Sequence, residues 1–251
     1  MRELGGCMDR WELSITNRII EREMRLSNAL HPARPLKERP YRFLTISRDE
    51  GTLGDEIARV LAQRLSWRLY DKEIVNEIAT NNHVREEMVR QLDETSDEGP
   101  QGLISETVLG LFKTLRGAPF GSEEYHLSLL KTLATIATRG DAILVGRGSN
   151  FALRGLGHGV HVRTTGSLEV RVQRLSKSWQ VAPEAARQRI LAIDANRRAF
   201  IRHHFQQSFD DLRFYDIVLN TDHLSVEKVV ASVLSLFGLE VPPMVRSLSK
   251  N

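Results

Sequence analysis

Between Ser47 and Glu56 the chain reads Ser47-Arg48-Asp49-Glu50-Gly51-Thr52-Leu53-Gly54-Asp55-Glu56, a polar stretch with two glycines. It follows the apolar run Phe43-Leu44-Thr45-Ile46 and precedes a helical pattern from Asp55 to Leu65. Glycines in a strand-to-helix loop let successive backbone N–H groups turn toward a phosphate, and the helix N-terminus adds its partial positive charge. Such loops ordinarily carry a lysine for the β- and γ-phosphates and a Ser or Thr for magnesium, and here both are missing. Two readings stay open: an anion-binding loop, or a structural strand–turn–helix whose Asp55 and Glu56 simply suit the first turn of a helix.

Further along, Arg147 lies between two glycines, directly after the apolar run Ala142-Ile143-Leu144-Val145. At the end of a buried strand it faces the same crevice as the loop, as a ligand residue or as the partner of an acidic side chain. Arg171 and Arg174 follow, then Asp194, Arg197, Arg198 and Arg202 at helical spacing. That last set reads either as phosphate-clamping cations or as a solvated ladder of pairs worth ~0.3–0.5 kcal/mol each. Asp71, after the short run Trp67 to Tyr70, is an acceptor-site acid or a helix N-cap. His158, His161, His203 and His204 lack the spacing of a metal site and read as ordinary histidines. No nucleophile elbow is present, and Cys7 alone makes no disulfide or cysteine-based zinc cluster.

The elements that must position these residues alternate strand and helix. Strands are expected at 43–47, 67–70, 142–146, 160–163 and 216–220. Helices are expected at 55–65, 72–92, 103–116, 122–139 with Ser122 as N-cap, from Ser167 to about 177, 183–204 and 225–237. Strands separated by helices make a parallel sheet covered on both faces, with ligands at the carboxyl ends of the strands. Residues 1–40 are expected to form an appendage, an amphipathic helix over 11–30 and a proline-containing linker, either for docking on a partner or forming a homodimer, or as a poorly ordered extension. Residues 41–240 are the main domain and 241–251 a tail.

The formal net charge is +3 over 251 residues, too small for a general nucleic-acid field. It conceals a split: 10 basic against 17 acidic residues over 49–141, and 12 against 5 over 147–213, eleven of those twelve being arginine. Arginine's planar fork suits phosphate. Aromatic residues are 6% of the chain and are not interleaved with the basic ones, which argues against a single-strand stacking platform. The longest apolar stretch, 229–241, is too short and too polar to cross a bilayer, and the N-terminus has no signal-peptide pattern. A cytoplasmic location is expected.

Six segments, in order, resemble the cytidylate kinase-like family. They are Ser47-Arg48 through Gly51-Thr52, Gly54 and Glu56-Ile57-Ala58; Leu69-Tyr70-Asp71-Lys72-Glu73-Ile74; Val145-Gly146-Arg147-Gly148; Arg171 with Arg174-Leu175; Ile193-Asp194 with Arg197; and Tyr215-Asp216 with Leu219-Asn220-Thr221. The resemblance covers roughly 43–238. It implies an α/β, three-layer P-loop kinase fold with a short five-stranded parallel sheet, a helical acceptor-site insertion and an Arg-rich lid. It implies ATP and Mg2+ as cofactors, a nucleotide as small-molecule partner, and phosphoryl transfer from ATP to a small acceptor such as a nucleoside monophosphate. In that frame Ser47, Arg48, Gly51, Thr52, Leu53, Gly54, Asp55 and Glu56 bind phosphate, Arg48, Arg147, Arg174, Asp194 and Arg197 are catalytic, and Asp71 holds the acceptor. Gly54 stands at the family's lysine, Glu56 at its magnesium-binding hydroxyl, and Leu53 at a usual glycine. Arg48 then supplies the missing cation, with Glu56 or Asp49 as carboxylates for the metal. Glu77 replaces an acceptor-phosphate arginine, so CMP specificity is unsupported. The alternative is a non-catalytic nucleotide- or anion-binding regulatory protein on the same fold.

Overall fold

Alternation along the strands divides the core in two, because successive side chains of a strand point to opposite faces. In the computed structural model, which describes residues 18, 19, 22, 41–71, 74, 78, 121–156 and 158–238, Phe43 faces one layer while Leu44 and Ile46 face the other. The neighbouring strand does the same with Ala142 and Leu144 against Ile143 and Val145. A strand buried on both faces needs an unbroken apolar run, which Ala142–Val145 supplies.

The elements run β1 (Phe43–Arg48), α1 (Gly54–Leu65), β2 (Arg68–Tyr70), α2 (Ser122–Arg139), β3 (Ala142–Val145), α3 (Ser149–Leu153), β4 (Gly159–Thr165), α4 (Leu168–Trp179), α5 (Pro183–Phe205), a short 3-10 turn (Leu212–Phe214), β5 (Ile217–Asn220) and α6 (Val226–Leu236). The sheet has five strands in the order β2-β3-β1-β4-β5, and every pairing is parallel. Helices α1 and α6 pack on the Leu44 face and α2, α3 and α5 on the Phe43 face, giving three layers. Each large apolar side chain buried this way stabilises the fold by roughly 1.5–3 kcal/mol. The chain leaves β1 toward one edge of the sheet and leaves the adjacent β3 toward the other, so a crevice opens at the carboxyl ends of these two strands.

The expected five-stranded parallel α/β architecture is what the chain adopts. Of the expected helix over 11–30 only residues 18, 19 and 22 are described, and of that over 72–92 only 74 and 78, all of them helical; the helix over 103–116, Glu77 and the tail from 241 lie outside the described residues. Trp67 is buried but not in the ladder, which starts at Arg68; its ring packs edge-on to Phe237 at 5.4 Å. Ser167 and Ser225 cap α4 and α6 as expected, while Ser122 does not cap α2. Gly121 takes the cap position, its N–H donating to Glu124 Oε2 at 2.9 Å, and the Ser122 hydroxyl pairs instead with His203 Nε2 at 3.0 Å. Among the described residues no helix is long and apolar enough to cross a membrane.

His126 of α2 and His204 of α5 stack at 5.6 Å between centroids, with Phe200 and Tyr125 against His204. Burial first, and His203 second, push His126 down to about 4 and His204 to about 3. Both stay neutral in the fold, whereas in the unfolded chain they take up protons below about pH 6.5. Stability is therefore expected to fall as pH drops from about 6.5 toward 4, since the unfolded state then binds more protons. Thermal unfolding should show a lower midpoint at about pH 5 than at pH 7, and His204→Phe should flatten that difference. An unchanged midpoint over that range would contradict the buried neutral pair.

Candidate functional site

A cavity of about 510 Å3 lies at the carboxyl ends of β1 and β3, walled by α5. β1 delivers Ser47 and Arg48 to it, and β3 delivers Gly146, Arg147 and Gly148. Three consecutive positive φ angles (70°, 53° and 64° at 146, 147 and 148) turn the chain sharply from β3 into α3. At Gly146 an added Cβ would come within 2.6 Å of Arg48 Nη1, so that guanidinium would have to move aside. At Gly54 a Cβ would meet Arg48 Cβ at 2.7 Å. The Arg48 stem thus lies over the position where a phosphate loop ordinarily carries its lysine. Its Nε donates to Asp55 Oδ1 at 2.9 Å, and its Nη2 is 3.9 Å from Asp71 Oδ1.

The loop between β1 and α1 uses many of its polar groups internally. The Asp49 N–H donates to Thr164 O at 3.1 Å and the Thr52 N–H to Asp49 O at 3.4 Å, while the Thr52 hydroxyl also donates to Asp49 O at 2.7 Å. The Glu50 N–H donates to the Asp194 carboxylate at 2.8 Å. Leu53 does take the left-handed conformation (φ 61°), at a cost of roughly 1–2 kcal/mol, and α1 starts directly after it.

Arginines of α4 and α5 hold the loop carbonyls. Arg197 Nη1 donates to Arg48 O at 3.1 Å, Arg171 Nη1 to Glu50 O at 3.1 Å and Arg174 Nη1 to Gly51 O at 3.4 Å. Arg174 also donates to the hydroxyl and carbonyl oxygens of Thr221. Arg171 and Asp194, 8% and 4% exposed, form an ion pair at 2.6 Å. Arg197 donates to Glu50 Oε2 at 2.6 Å; burial and then the Arg48 charge pull its guanidinium below the ordinary arginine value, and Glu50 opposes them.

Of the residues singled out in the sequence, Ser47, Arg48, Asp55, Asp71, Arg147 and Arg197 line the cavity together. Gly51, Thr52, Leu53 and Gly54 shape the loop without lining it, and Glu56 is exposed on the first turn of α1. Arg174 and Asp194 stand behind, bracing the loop. Sequence reasoning missed Glu50 and Asn150, which also line the cavity. Asn150, 1% exposed, accepts from the Ser47 hydroxyl at 3.0 Å, and its Nδ2 finds no hydrogen-bond partner among the described residues. It also missed the buried Arg163, which donates to Asp210 Oδ1 at 2.7 Å and Phe209 O at 2.9 Å and lies 3.4 Å from Asp49 Oδ1. A charged residue inside the strand run 160–163 was the available signal.

Three guanidiniums (Arg48, Arg147, Arg197) and three carboxylates (Glu50, Asp55, Asp71) line the cavity, so its lining charges balance. The cationic side fits a phosphate chain through its guanidiniums rather than through a full backbone nest. Among the described residues, the carboxylates lining the cavity do not make a protein-held magnesium site. Among the described residues no group of three or more His, Cys, Asp or Glu could hold a metal. Asp55 is engaged by Arg48 and Glu50 by Arg197.

Over residues 43–223 the sequence matches the cytidylate kinase-like family. A curated relative, the cytidylate kinase of Methanocaldococcus jannaschii, is 28% identical over 102 residues, covering 40% of this chain and 57% of that one. The match therefore spans little more than half of that relative's length. A crystal structure of an uncharacterized protein from Eubacterium ventriosum shares the fold, with a TM-score of 0.58 at 18% identity over 78% of this chain and 97% of the other. A shikimate kinase from Bacteroides thetaiotaomicron gives a TM-score of 0.43 at 14% identity over 78% and 98% of the two chains, and nothing further rests on that likeness.

Proposed function

The chain belongs to the cytidylate kinase-like family, and from that premise we propose that it transfers the γ-phosphoryl group of ATP to a small acceptor, with nucleoside monophosphates the first to test. The observation that carries this reading is the meeting of Arg48, Arg147 and Arg197 in one cavity at the carboxyl ends of β1 and β3. Phosphoryl transfer asks little covalent chemistry of a protein; it asks for positioning and for cations on the equatorial oxygens. Arg48, Arg147 and Arg197 would supply the cations. Arg174 and Asp194 would keep the 47–56 loop in shape, and Asp71, beside Arg48, would orient the acceptor. An ionised acceptor phosphate needs no protein base. Magnesium would come with the nucleotide, held by its phosphates, as is usual for this ion.

A panel of nucleoside monophosphates with ATP and magnesium, followed as ADP release, tests the proposal. Turnover with at least one acceptor is expected, and Arg147→Ala should lower kcat by about 10²–10³. A second reading, a non-catalytic nucleotide- or anion-binding regulator, is favoured by the loop amides of 49, 50 and 52 already being engaged. Saturable ATP binding without turnover on any acceptor would decide for it.

A further inference from the structure

The charged groups of the cavity are only part of its lining. Among the described residues Val145, Ile193, Phe200, Ile201 and Phe209 give it an apolar side. Phe200 and Ile201 follow Arg197 by three and four residues, so they continue its face of α5 about one turn further along the helix. Phe209 is held from several directions. Its carbonyl accepts from Arg163 Nη1 at 2.9 Å and from the Tyr215 hydroxyl at 2.8 Å, and the Arg163 guanidinium lies 4.6 Å from its ring centroid. The next residue, Asp210, takes bonds from Arg163 and Arg198. We propose that this apolar side seats the body of the acceptor and that Phe209 selects it, so that a phosphate ester carrying a flat unsaturated ring is preferred to one carrying a polyol. The inference rests on the cavity being a phosphate site, as argued above.

Charge does not enter this choice. Whatever an anion must displace among the ion pairs of the cavity, two monoesters of equal charge displace alike, and the body of the ester decides between them. A cavity of about 510 Å3 has room for that body. A ring laid against Phe200 and Phe209 leaves water for an apolar wall, and ring pairs gain beyond the area they bury. Hydroxyls in the same place would give up water for side chains that cannot bond them. Ser47 and Asn150, which also line the cavity, bond each other at 3.0 Å. Because the backbone of residue 209 is tied to Arg163 and Tyr215, its ring stands in place before a ligand arrives, and binding bears little cost of ordering it.

Phenyl phosphate and glycerol 1-phosphate, both mainly dianionic at about pH 8 and different only in body, separate the two cases. Both would be titrated calorimetrically into the full chain and into Phe209→Leu and Phe209→Ala. The unmodified chain should bind phenyl phosphate about tenfold more tightly than glycerol 1-phosphate. Phe209→Leu, which keeps an apolar side chain and removes the ring, should cut that ratio about threefold, and Phe209→Ala should cut it further. Thermal unfolding of each variant checks that the fold is kept, and the leucine variant carries the test where alanine does not fold. If the unmodified chain binds neither ester, the phosphate site itself fails and the inference with it. If it binds the two alike, or prefers glycerol 1-phosphate, or keeps its ratio in the folded variants, the site stands and selection by Phe209 is overturned.

Discussion

Alanine at position 194 is expected to cost about 3–5 kcal/mol of folding stability, because it removes one partner of a buried ion pair and strands the other charge. Arg171 is 8% exposed, so its guanidinium would be left buried without its carboxylate. The same change deprives the Glu50 N–H of its acceptor, a second unsatisfied group. Asp194→Asn should cost less, since an amide oxygen can still accept from residue 50. Urea unfolding measures both, and a shift in midpoint with unchanged slope would assign the loss to stability. A loss below about 1 kcal/mol for the alanine would mean that the pair behaves as an exposed one.

The second large effect is expected at Gly148. Its φ is +64°, and a Cβ would lie 2.0 Å from Phe205 Cε2 and 2.5 Å from Cζ, in the aromatic cluster beneath the cavity. Gly148→Ala should therefore cost about 2–4 kcal/mol, joining left-handed backbone strain to overpacking. Gly238 is the internal control. Its φ is +66° and a Cβ there meets nothing within 4 Å among the described residues, so Gly238→Ala should show only the backbone part, roughly 1–2 kcal/mol. The difference between the two variants isolates the Phe205 contact, and equal losses would contradict it.

The fold was legible because its signals are local. Ala142–Val145 is apolar at every position, and Ser167 and Ser225 precede amphipathic patterns as N-caps do. Ser122 misled for a local reason too: serine is the better-known cap, but Glu124 reaches back to residue 121 and shifts the helix start by one. The site was only partly legible. Arg48, Asp71 and Arg147 follow strands, and strand ends converge in a parallel sheet whatever their distance in sequence. Asp194 shows the limit. Helical spacing pairs it with Arg197, yet that contact is 4.0 Å long and the 2.6 Å partner is Arg171, a helix away. Glu50 carried no signal of its own, because its meaning comes from Arg197, 147 positions on.

Arg48 lying across both Gly54 and Gly146 has a consequence for how such a loop can change over generations. A lysine at 54 would have to share space with the Arg48 stem, 2.7 Å from its first carbon, and would meet the Thr164 hydroxyl at 3.0 Å. The closest contact is with the Cβ of residue 48, which every residue but glycine carries, so position 54 is held to glycine by its neighbour unless the loop itself shifts.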